Sequence, residues 1–529
     1  MPKSFQDDHV KFITELRDFF ESYEGKEGKE FINQFSEEFW VSNFLSQDMK
    51  EAMYLNCNQM CKKKFRPKPE YYSYINTIKT LAKQNISGVA FAEWQACFTS
   101  SANGRLNKPF SDFISMSESL FIENKFYKTA SGFWEVIGGS WQFICDSVPS
   151  IEFTDVTIQG VAKNDSTTIY NTQGTYFVNS GMWVGRGGRI DWERAGLKEE
   201  IYVDLKKYTF AVKGFFIVAD SVTFVNQIYF KDKPLQGRLS EKLIADAQEK
   251  SASFPRFESY SYRYQIKSMY PNVDYEGGFT QVGAKFIGSG SKDNLAFFIF
   301  KFSGKNFLKV SSQSFSISKG KITSQNTAIK FSLDADSIVH PSVDFKYFID
   351  SARVVIYRPD AGASQAPFYD SFHKVNLFVE QIQWQTNEPT IFMNTIIGSS
   401  IGKASFPSSD YYRQYLYDGL QGMDPVHPLI KIRNFVRDVN AGIRTFTMLD
   451  LAIYWKIGPE QLRPVIMELS NQGFVFYDPK TDGLTYLDKC DTYIAARAGK
   501  KDYDNIMFNS NVIAGSANAK INLLNYDMT

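Results

Sequence analysis

Residues 200–218 read EIYVDLKKYTFAVKGFFIV, and the alternation of apolar and polar side chains in this stretch decides the fold. Successive side chains of a β-strand point to opposite faces of the sheet, so a period of two predicts strands with one buried face. The same texture recurs in IEFTDVTIQGV (151–161), LAFFIFKFSG (295–304) and KVNLFVEQIQW (374–384), separated by Gly, Asn, Asp, Ser and Pro. The sequence therefore predicts a protein that is mainly β.

Composition favours the same class of fold. Aromatic residues make up 16% of the 529 residues, with 47 Phe and 29 Tyr, and such side chains suit the half-buried surface of a sheet. A chain of this length with 43% hydrophobic residues exceeds one core, so several domains are expected. Lys and Arg number 59 against 58 Asp and Glu. This balance provides no long-range attraction to a polyanion, so nucleic acid is not a predicted partner.

No membrane span and no export signal are predicted in the chain as given. The first residues, MPKSFQDDHVKF, lack the basic start and apolar run of a signal peptide. The most apolar runs, around residues 215–219 and 295–300, are much shorter than the roughly eighteen residues that a spanning helix needs. The compartment is left open, and the periplasm or cell envelope is expected only if a signal peptide has been removed.

Changes in texture divide the chain into four predicted regions: 1–150, 151–425, 426–495 and 496–529. The first shows apolar side chains at spacings of three and four, as in HVKFITELRDFFESY, which predicts an α-helical N-terminal region. The second is β-rich, with one short helix predicted at LSEKLIADAQEKS (239–251). The last returns to alternation, so its strands continue the β region or pair back onto it.

The region 426–495 has the element order of a winged-helix unit. HPLIKIRNFVRDV (427–439), MLDLAIYWK (448–456) and PEQLRPVIMELSNQGF (459–474) predict three helices. A short strand, IRTFT, precedes the second helix, and two strands, VFYD and LTYLD, follow the third. The interior Pro464 is expected to kink or delay the third helix.

The third helix of this module does not suit DNA. It offers Glu460 and Glu468 against the single Arg463, so a phosphate backbone would be repelled as much as attracted. The module is therefore interpreted as a packing or protein-contact unit.

Repeated turn chemistry suggests how the strands are arranged. ADSV at residues 219–222 reappears as ADSI at residues 335–338. Asp and Ser satisfy the backbone of a tight turn, and a β-branched residue then opens the next strand. Such repetition predicts stacked β rungs or meanders, with an ordinary sandwich as the alternative.

No catalytic, cofactor-binding or metal-binding residues are predicted. The nearest approach to a nucleophilic triad is Asp370, Ser371 and His373 in PFYDSFHKV, where a satisfied turn is the favoured interpretation. His340 followed by Pro341 is interpreted as a turn that ends a strand.

Four short motifs have ordinary structural interpretations. GRGGRIDW (185–192) lacks the Lys-Ser or Lys-Thr end of a P-loop, which favours a turn or bulge, and DYEGGF (274–279) fits a tight hairpin. Cys57 and Cys61 have the spacing of metal ligands but no second pair nearby, so helix packing is favoured over zinc. CKKKFRPKP (61–69) is interpreted as a solvated helix end leading to a linker rather than an anion contact.

Two carboxylate pairs leave glycoside hydrolysis open. Asp191 with Glu193, and Asp274 with Glu276, alternate along predicted strands and would project from one face about seven ångströms apart.

The aromatic-rich strands, together with WERAGL (192–197), ADSV (219–222), DYEGGF, DSIVHP (336–341) and LQGMDPVHPL (420–429), resemble a group of very large uncharacterised β-rich envelope proteins of Bacteroidetes. The texture of residues 200–360 is also similar to the OstA-like repeats of lipopolysaccharide-transport proteins, whose strands stack into an open β groove. The resemblance implies an exported, envelope-associated protein of unknown role, and it carries over no functional residues.

The predicted architecture is a stacked β-solenoid or OstA-like open β groove, with an α-helical N-terminal region and a winged-helix-like module near the C-terminus. The first predicted function is a non-enzymatic structural or interaction scaffold of the bacterial cell envelope, as a segment of a larger protein. Its partners would be other proteins or an envelope glycolipid. The alternatives are a lipid or glycolipid carrier with an apolar β groove, and a carbohydrate-active β-solenoid enzyme.

Overall fold

The structure is a computed structural model of the chain. It describes residues 2–42, 44–145, 148–197, 200–230, 233–244, 252–318, 320–359, 362–396, 403–409, 412–421, 425–501, 506–511 and 516–529. The chain forms two compact units. Unit 1 comprises Met1–Glu258 with Gln281–Ala284, and unit 2 comprises Ser259–Thr280 with Lys285–Thr529.

Unit 1 begins with helices whose starts are set by local chemistry. The Asp8 carboxylate accepts hydrogen bonds from the backbone N–H groups of Val10 and Lys11, at 3.1 and 2.9 Å. These donors have no partner within the helix, so the cap stabilises its first turn. Ser46 and Ser87 cap the second and fourth helices in the same way. The helices are α1 (His9–Phe35), α2 (Gln47–Lys62), α3 (Tyr72–Lys83), α4 (Gly88–Asn103) and α5 (Asn107–Glu123).

The helical region is shorter than the predicted 1–150. Asn124 adopts the left-handed conformation, with φ 57°, and ends α5. Three strands follow at once: β1 (Lys125–Thr129), β2 (Gly132–Ile137) and β3 (Ser140–Ile144). The prediction was wrong here because strands of five or six residues contain too few alternations to stand out beside long helices.

The remaining strands of unit 1 range from three to thirteen residues, and β4–β11 pair antiparallel. They are β4 (Ser150–Ala162), β5 (Asp165–Phe177), β6 (Met182–Arg186), β7 (Arg189–Asp191), β8 (Ile201–Asp204), β9 (Lys207–Ala211), β10 (Phe216–Asn226) and β11 (Leu235–Lys242), followed by β12 (Arg256–Ser259). The first half of β4 pairs with β3 and its second half with β2. Between the halves the register shifts, and Asp155 has a φ of 53°, so one bulged strand serves two sheet segments.

Buried aromatic rings fill the interior of unit 1. Trp134 on β2 lies 5.0 Å from Phe210 on β9, and Trp183 on β6 lies 5.4 Å from Phe126 on β1, measured between ring centroids. All four side chains are buried. The aromatic content of the sequence is therefore used as core packing between strands.

Two local predictions in unit 1 are corrected. Residues 239–242 belong to β11, so the helix predicted for residues 239–251 starts as a strand, and residues 245–251 lie outside the described residues. The ADSV segment is a bulge inside β10, where the register shifts between Ala219 and Val222 and Ser221 has a φ of 57°. A bulge and a turn both need a residue that tolerates positive φ, so the ADSV motif is compatible with either structure.

Unit 2 contains the other strands of the β region, all of whose pairings are antiparallel. They are β13 (Tyr264–Tyr270), β14 (Val273–Val282), β15 (Lys285–Ser289), β16 (Ala296–Phe302), β17 (Lys305–Ser312), β18 (Ser314–Ser318), β19 (Lys321–Leu333), β20 (Asp336–Phe348), β21 (Arg353–Tyr357), β22 (Phe368–Asp370), β23 (Val375–Leu377), β24 (Gln381–Gln385), β25 (Thr390–Asn394) and β26 (Lys403–Pro407).

The long strands β19 and β20 are bent, and each takes part in two sheet segments. The start of β19 pairs with β18, and its end pairs with β17. The start of β20 pairs with β22, and its end pairs with β21. One segment therefore runs through β14, β16 and β17, and the other through β18, β21 and β24, with β19 and β20 contributing to both.

Aromatic side chains pack between these two segments. Phe300 on β16 lies 4.9 Å from Tyr347 on β20, and Phe307 on β17 lies 4.8 Å from Trp384 on β24. These rings are buried, so the described strands enclose a filled core.

Two predicted turns in unit 2 are strand interiors. Gly277 and Gly278 of DYEGGF lie within β14, where Tyr275 folds over them and donates a hydrogen bond to the Gly278 carbonyl at 2.5 Å. A Cβ at Gly277 would collide with the Tyr275 hydroxyl, which explains the glycine without a hairpin. His340 lies in the middle of β20, and Pro341 falls where the β19–β20 register is interrupted, so its missing N–H costs no ladder bond.

The last part of unit 2 is a mixed module. Its elements are α6 (Gln414–Gln421), α7 (Pro428–Asn434), β27 (Thr445–Thr447), α8 (Met448–Trp455), α9 (Pro459–Asn471), β28 (Val475–Asp478), β29 (Gly483–Tyr486) and α10 (Asp488–Arg497). The three strands form a small sheet in the order β27–β29–β28. Buried Leu451, Leu462 and Ile466 contribute to its core, and α9 continues through Pro464.

The chain ends on two strands that pair with earlier ones. These are β30 (Met507–Asn511), which pairs with β26, and β31 (Ala519–Asn522), which pairs with β25. The protein is thus mainly β, with a helical N-terminal region and extensive antiparallel sheet, which confirms the prediction at this level. Within the part of the chain that is described, no helix has the length and apolarity needed to cross a membrane.

Candidate functional site

A polar groove of about 1110 Å³ lies in unit 2, between strands β17–β20 and the module that contains α9 and β28. We name it the hydroxyl groove because serine and threonine side chains dominate its lining. They are Ser312, Ser314, Ser316, Thr323, Ser324, Ser342 and Ser364. Three amide side chains, those of Gln313, Gln325 and Asn326, join them. Hydroxyls and amides can both donate and accept hydrogen bonds, so this surface suits a ligand with the same dual character.

The bend of β19 forms the floor of the hydroxyl groove. The register with β20 shifts between Ser324 and Thr327, and Asn326 has a φ of 49°. A bulge turns side chains out of the regular alternation, which leaves Gln325 and Asn326 both exposed. The Ser324 hydroxyl is fixed below them, 2.8 Å from the Ser312 hydroxyl and 2.8 Å from the carbonyl of Ser314.

The opposite wall is held by a network around Arg463. Its guanidinium donates to the Tyr477 hydroxyl at 2.5 Å and to the Glu460 carboxylate at 3.2 and 3.3 Å. The Tyr477 hydroxyl donates to Asp482 at 2.9 Å. Burial raises the pKa of Tyr477 to about 12, so the hydroxyl keeps its proton. The wall is therefore ordered before any ligand arrives, which lowers the cost of binding.

Lys480 is a largely buried cation of the hydroxyl groove. Its ammonium donates to the Ser311 carbonyl at 3.1 Å, and burial lowers its pKa to about 8. Lys346 and Arg463 are the other cations of the lining, and Asp344 is its carboxylate within the described residues. The groove thus has few charges, and both signs are represented.

His340 supports the groove from beneath and is not a base. Its Nε2 lies 2.8 Å from the Ala366 carbonyl, and its Nδ1 accepts a hydrogen bond from the Ser342 backbone N–H at 3.1 Å. Burial lowers the pKa of His340 to about 3, so the ring is neutral and Nε2 carries its proton. Both nitrogens are occupied, and the ring positions Ser342, whose hydroxyl lies 3.4 Å from that of Ser364.

The triad residues Asp370, Ser371 and His373 are close together but are not arranged for catalysis. His373 contacts the Asp370 carboxylate through Nδ1 at 2.7 Å and the Tyr526 carbonyl through Nε2 at 2.8 Å. Both partners are acceptors, so neither nitrogen is left to take a proton from a serine. Ser371 instead bonds Asp336 at 2.8 Å. The group ties the C-terminal residues to the β22–β23 turn.

In both predicted carboxylate pairs, the two side chains have different structural surroundings. Asp191 ends β7 and accepts the backbone N–H of Glu193 at 3.2 Å, so the second carboxylate lies in a turn rather than on the same strand as predicted. Asp274 and Glu276 do lie on β14. Asp274 pairs with Lys301 at 2.6 Å and Glu276 accepts from Gln265, so each carboxylate has its own cross-strand partner.

The remaining motifs have structural partners. Gly187 and Gly188 form the turn between β6 and β7, with φ of 70° and 107°. Cys57 and Cys61 lie buried on α2, where the Cys61 thiol contacts the Tyr71 hydroxyl at 3.2 Å. In the basic run after α2, Lys68 pairs with Glu24 at 3.1 Å. Among the described residues, no group of three or more His, Cys, Asp or Glu side chains could hold a metal ion.

A cluster of buried ionisable side chains lies in unit 1, within the WERAGL segment and β11. Arg194 donates hydrogen bonds to the carboxyl groups of Asp165 and Glu241 and, at 2.8 Å, to the Lys242 carbonyl. Burial raises the pKa of Glu241 to about 8, while the charge of Arg194 opposes the shift. One carboxylate oxygen of Glu241 has no hydrogen-bond partner. The cluster is enclosed, so its effect is on stability and not on a ligand.

Comparisons with known proteins give no relative. No family model matches the chain, and neither a curated protein nor a solved structure matches it.

Proposed function

We propose that the chain is a non-enzymatic interaction protein that binds a polyhydroxylated ligand, a glycan segment, in the hydroxyl groove. The observation that carries this proposal is the density of neutral hydroxyl and amide groups on one preformed surface. Each hydroxyl of a sugar ring both donates and accepts, and serine, threonine, asparagine and glutamine side chains match that behaviour. A volume of about 1110 Å³ is at the upper end of small-molecule pockets, which run to roughly 1,000 Å³, so an extended ligand fits better than one ring.

The lining favours binding over hydrolysis. Glycoside hydrolysis uses two carboxylates that flank the scissile bond. Among the described lining residues Asp344 is the single carboxylate, while Glu460 and Asp482 are committed to the Arg463 network. The carbohydrate-active enzyme therefore receives less support than a carbohydrate-binding surface.

The apolar carrier also receives little support. A lipid chain needs a continuous apolar channel, whereas the space between the strands of unit 2 is filled by rings such as Phe300, Tyr347 and Trp384. A glycolipid could still present its sugar portion to the hydroxyl groove.

The cell-envelope scaffold is part of the same proposal. Its location rests on the resemblance to envelope proteins of Bacteroidetes, and envelope glycans are the ligands that such a location would offer. The order of elements from α7 to β29 supports a winged-helix-like form for residues 426–495. A stacked, OstA-like form of the β region has weaker support, because its strands enclose packed side chains.

The experiment is a binding screen with a blocking variant. The full chain is applied to an array of bacterial, fungal and plant glycans, and affinities for retained oligosaccharides are measured by calorimetry. Ser316→Trp fills the hydroxyl groove from an exposed position on β18. Ser318→Trp is the matched control, because Ser318 is two residues away on the same face of β18 and does not line the groove.

We expect the wild type and Ser318→Trp to bind alike, and Ser316→Trp to bind at least about tenfold more weakly, which corresponds to 1.4 kcal/mol. Retention of no glycan, or equal binding by both variants, would overturn the proposal. Cleavage of a bound oligosaccharide would overturn its non-enzymatic part.

A further inference from the structure

The turn between β28 and β29 places one cation in the hydroxyl groove. Lys480 lies in this turn, and its ammonium donates a hydrogen bond to the Ser311 carbonyl at 3.1 Å, on β17. An ammonium has three N–H donors, and Ser311 is its hydrogen-bond partner among the described residues. Two donors therefore remain for a group that enters the groove.

The turn is held by its own hydrogen bonds, which fix the position of Lys480. The Asp478 carboxylate accepts the backbone N–H of Lys480 at 2.9 Å and the Thr481 hydroxyl at 3.0 Å. The Asp482 carboxylate accepts the Tyr477 hydroxyl at 2.9 Å. The carboxylates on either side of Lys480 in sequence are thus engaged in the turn, and in the part of the chain that is described its ammonium forms no ion pair.

The charge of Lys480 is only partly compensated by the protein. Burial lowers the pKa of Lys480 to about 8 although Asp478 attracts its charge, so the ammonium is still protonated at neutral pH. Withdrawing a charge from water costs free energy, and an anion that contacts it inside the groove offsets part of that cost. Lys346 and Arg463 add positive charge to the described lining, whose carboxylate is Asp344. The groove therefore favours a ligand that carries one negative charge.

We propose that the glycan bound in the hydroxyl groove carries a carboxylate, as a uronic acid does, and that Lys480 binds this carboxylate. This inference rests on the glycan-binding function proposed above. The carboxylate accepts the remaining N–H donors of Lys480, while sugar hydroxyls meet Gln313 and Ser314, which are exposed in the lining just after Ser311. A phosphate ester carries a charge of about −1.5 to −2 at pH 7 and suits a cluster of Arg side chains, so a singly charged carboxylate fits one Lys better.

The test compares ligands that differ only in this group. Tetrasaccharides of galacturonic, glucuronic and mannuronic acid are each paired with the same tetrasaccharide whose carboxylates have been reduced to primary alcohols. Binding to the full chain is measured by calorimetry at about pH 7 and about 0.15 M salt. We expect at least one acid to bind about tenfold more tightly than its reduced form, because a hydrogen bond between two charged groups is stronger than one to a neutral hydroxyl.

Lys480→Met removes the charge and keeps most of the aliphatic side chain. It should lower the affinity for the acid about tenfold and leave the affinity for the reduced form within about twofold. Lys330→Met is the matched control, because Lys330 is exposed on β19, the strand that forms the floor, and is not among the lining residues. This control should keep the preference of the wild type for the acid.

The outcomes separate this inference from the proposed function. Equal binding of acidic and reduced forms would overturn the inference and leave the glycan-binding function standing, and so would a preference for the acid that survives in Lys480→Met. Displacement of the bound acid by glucose 6-phosphate at a lower concentration than by glucuronic acid would overturn the choice of a carboxylate. Binding of neither form in any pair would overturn both proposals. Where Lys480→Met does not fold, Lys480→Gln keeps an N–H donor for Ser311 and should lose the preference in the same way.

Discussion

Glu241→Gln should remove a pH dependence of stability from unit 1. The Glu241 carboxyl is buried, and burial raises its pKa from 4.5 to about 8. The folded state therefore holds a proton that the unfolded state loses at lower pH. The stability due to this proton is fully present below pH 4.5 and is lost as the pH rises through about 8.

The size of the effect follows from the shift. One pKa unit corresponds to about 1.4 kcal/mol, so a rise from 4.5 to about 8 gives at most about 5 kcal/mol. Glutamine keeps a side-chain oxygen for Arg194 but has no proton to lose. The difference in free energy of unfolding between Glu241→Gln and the wild type should therefore grow by several kcal/mol in favour of the variant between pH 5 and 9.

The assay is urea unfolding followed by tryptophan fluorescence at several pH values across this range. Glu37→Gln is the control, because Glu37 is an exposed carboxylate of unit 1 and its replacement should leave the profile parallel to that of the wild type. Parallel profiles for Glu241→Gln and the wild type would refute the reasoning. They would mean that the ion pair with Arg194 keeps Glu241 charged in the folded state.

Two further substitutions test the core and the C-terminal attachment of unit 2. Phe300→Ala should lower the free energy of unfolding by about 3–5 kcal/mol, because it empties a buried position beside Tyr347. Phe297→Ala is the control and should cost less, because Phe297 is half-buried on the opposite face of β16. Equal losses in urea unfolding would contradict the filled core. His373→Ala should speed amide hydrogen exchange in Ala519–Asn522, because it removes the ring contacts to the Tyr526 carbonyl and to the buried Asp370 carboxylate. Unchanged exchange would show that β31 is held by its pairing with β25 alone.

The sequence was most informative where a strand has one solvent-exposed face and one buried face. The alternation in residues 200–218 became β8, β9 and the start of β10. The helix order from α7 to α9 was also readable, because capping and periodicity are local properties. The predictions that failed concerned short strands such as β1 and sequence motifs that fit either a turn or a bulge. ADSV forms a bulge, whereas in ADSI the turn residue is Asp334, just before the repeated letters, with a φ of 53°.

The hydroxyl groove was not predicted, although a signal was present. SSQSFSIS at residues 311–318 and TSQN at residues 323–326 place many serines and amides on strands. Strand faces rich in hydroxyls are common on solvent-exposed surfaces, so the pattern alone could not distinguish the lining of a groove from an ordinary exposed face. The distinction needed the second wall, which Arg463 and Tyr477 supply from more than a hundred residues away.

The position of the hydroxyl groove follows from how the strands of unit 2 are bent. A residue other than glycine with positive φ costs about 1 kcal/mol or more, and Asn326 carries that cost in the middle of β19. The bend lets β19 pair with β18 at its start and with β17 at its end, and both halves bury apolar side chains, Ile322 in the first and Phe331 in the second. Burial of such side chains contributes about 1.5–3 kcal/mol each, which more than offsets the strain. The bulge that closes the core therefore also holds Gln325 and Asn326 outward, so the proposed ligand surface is built into the sheet itself.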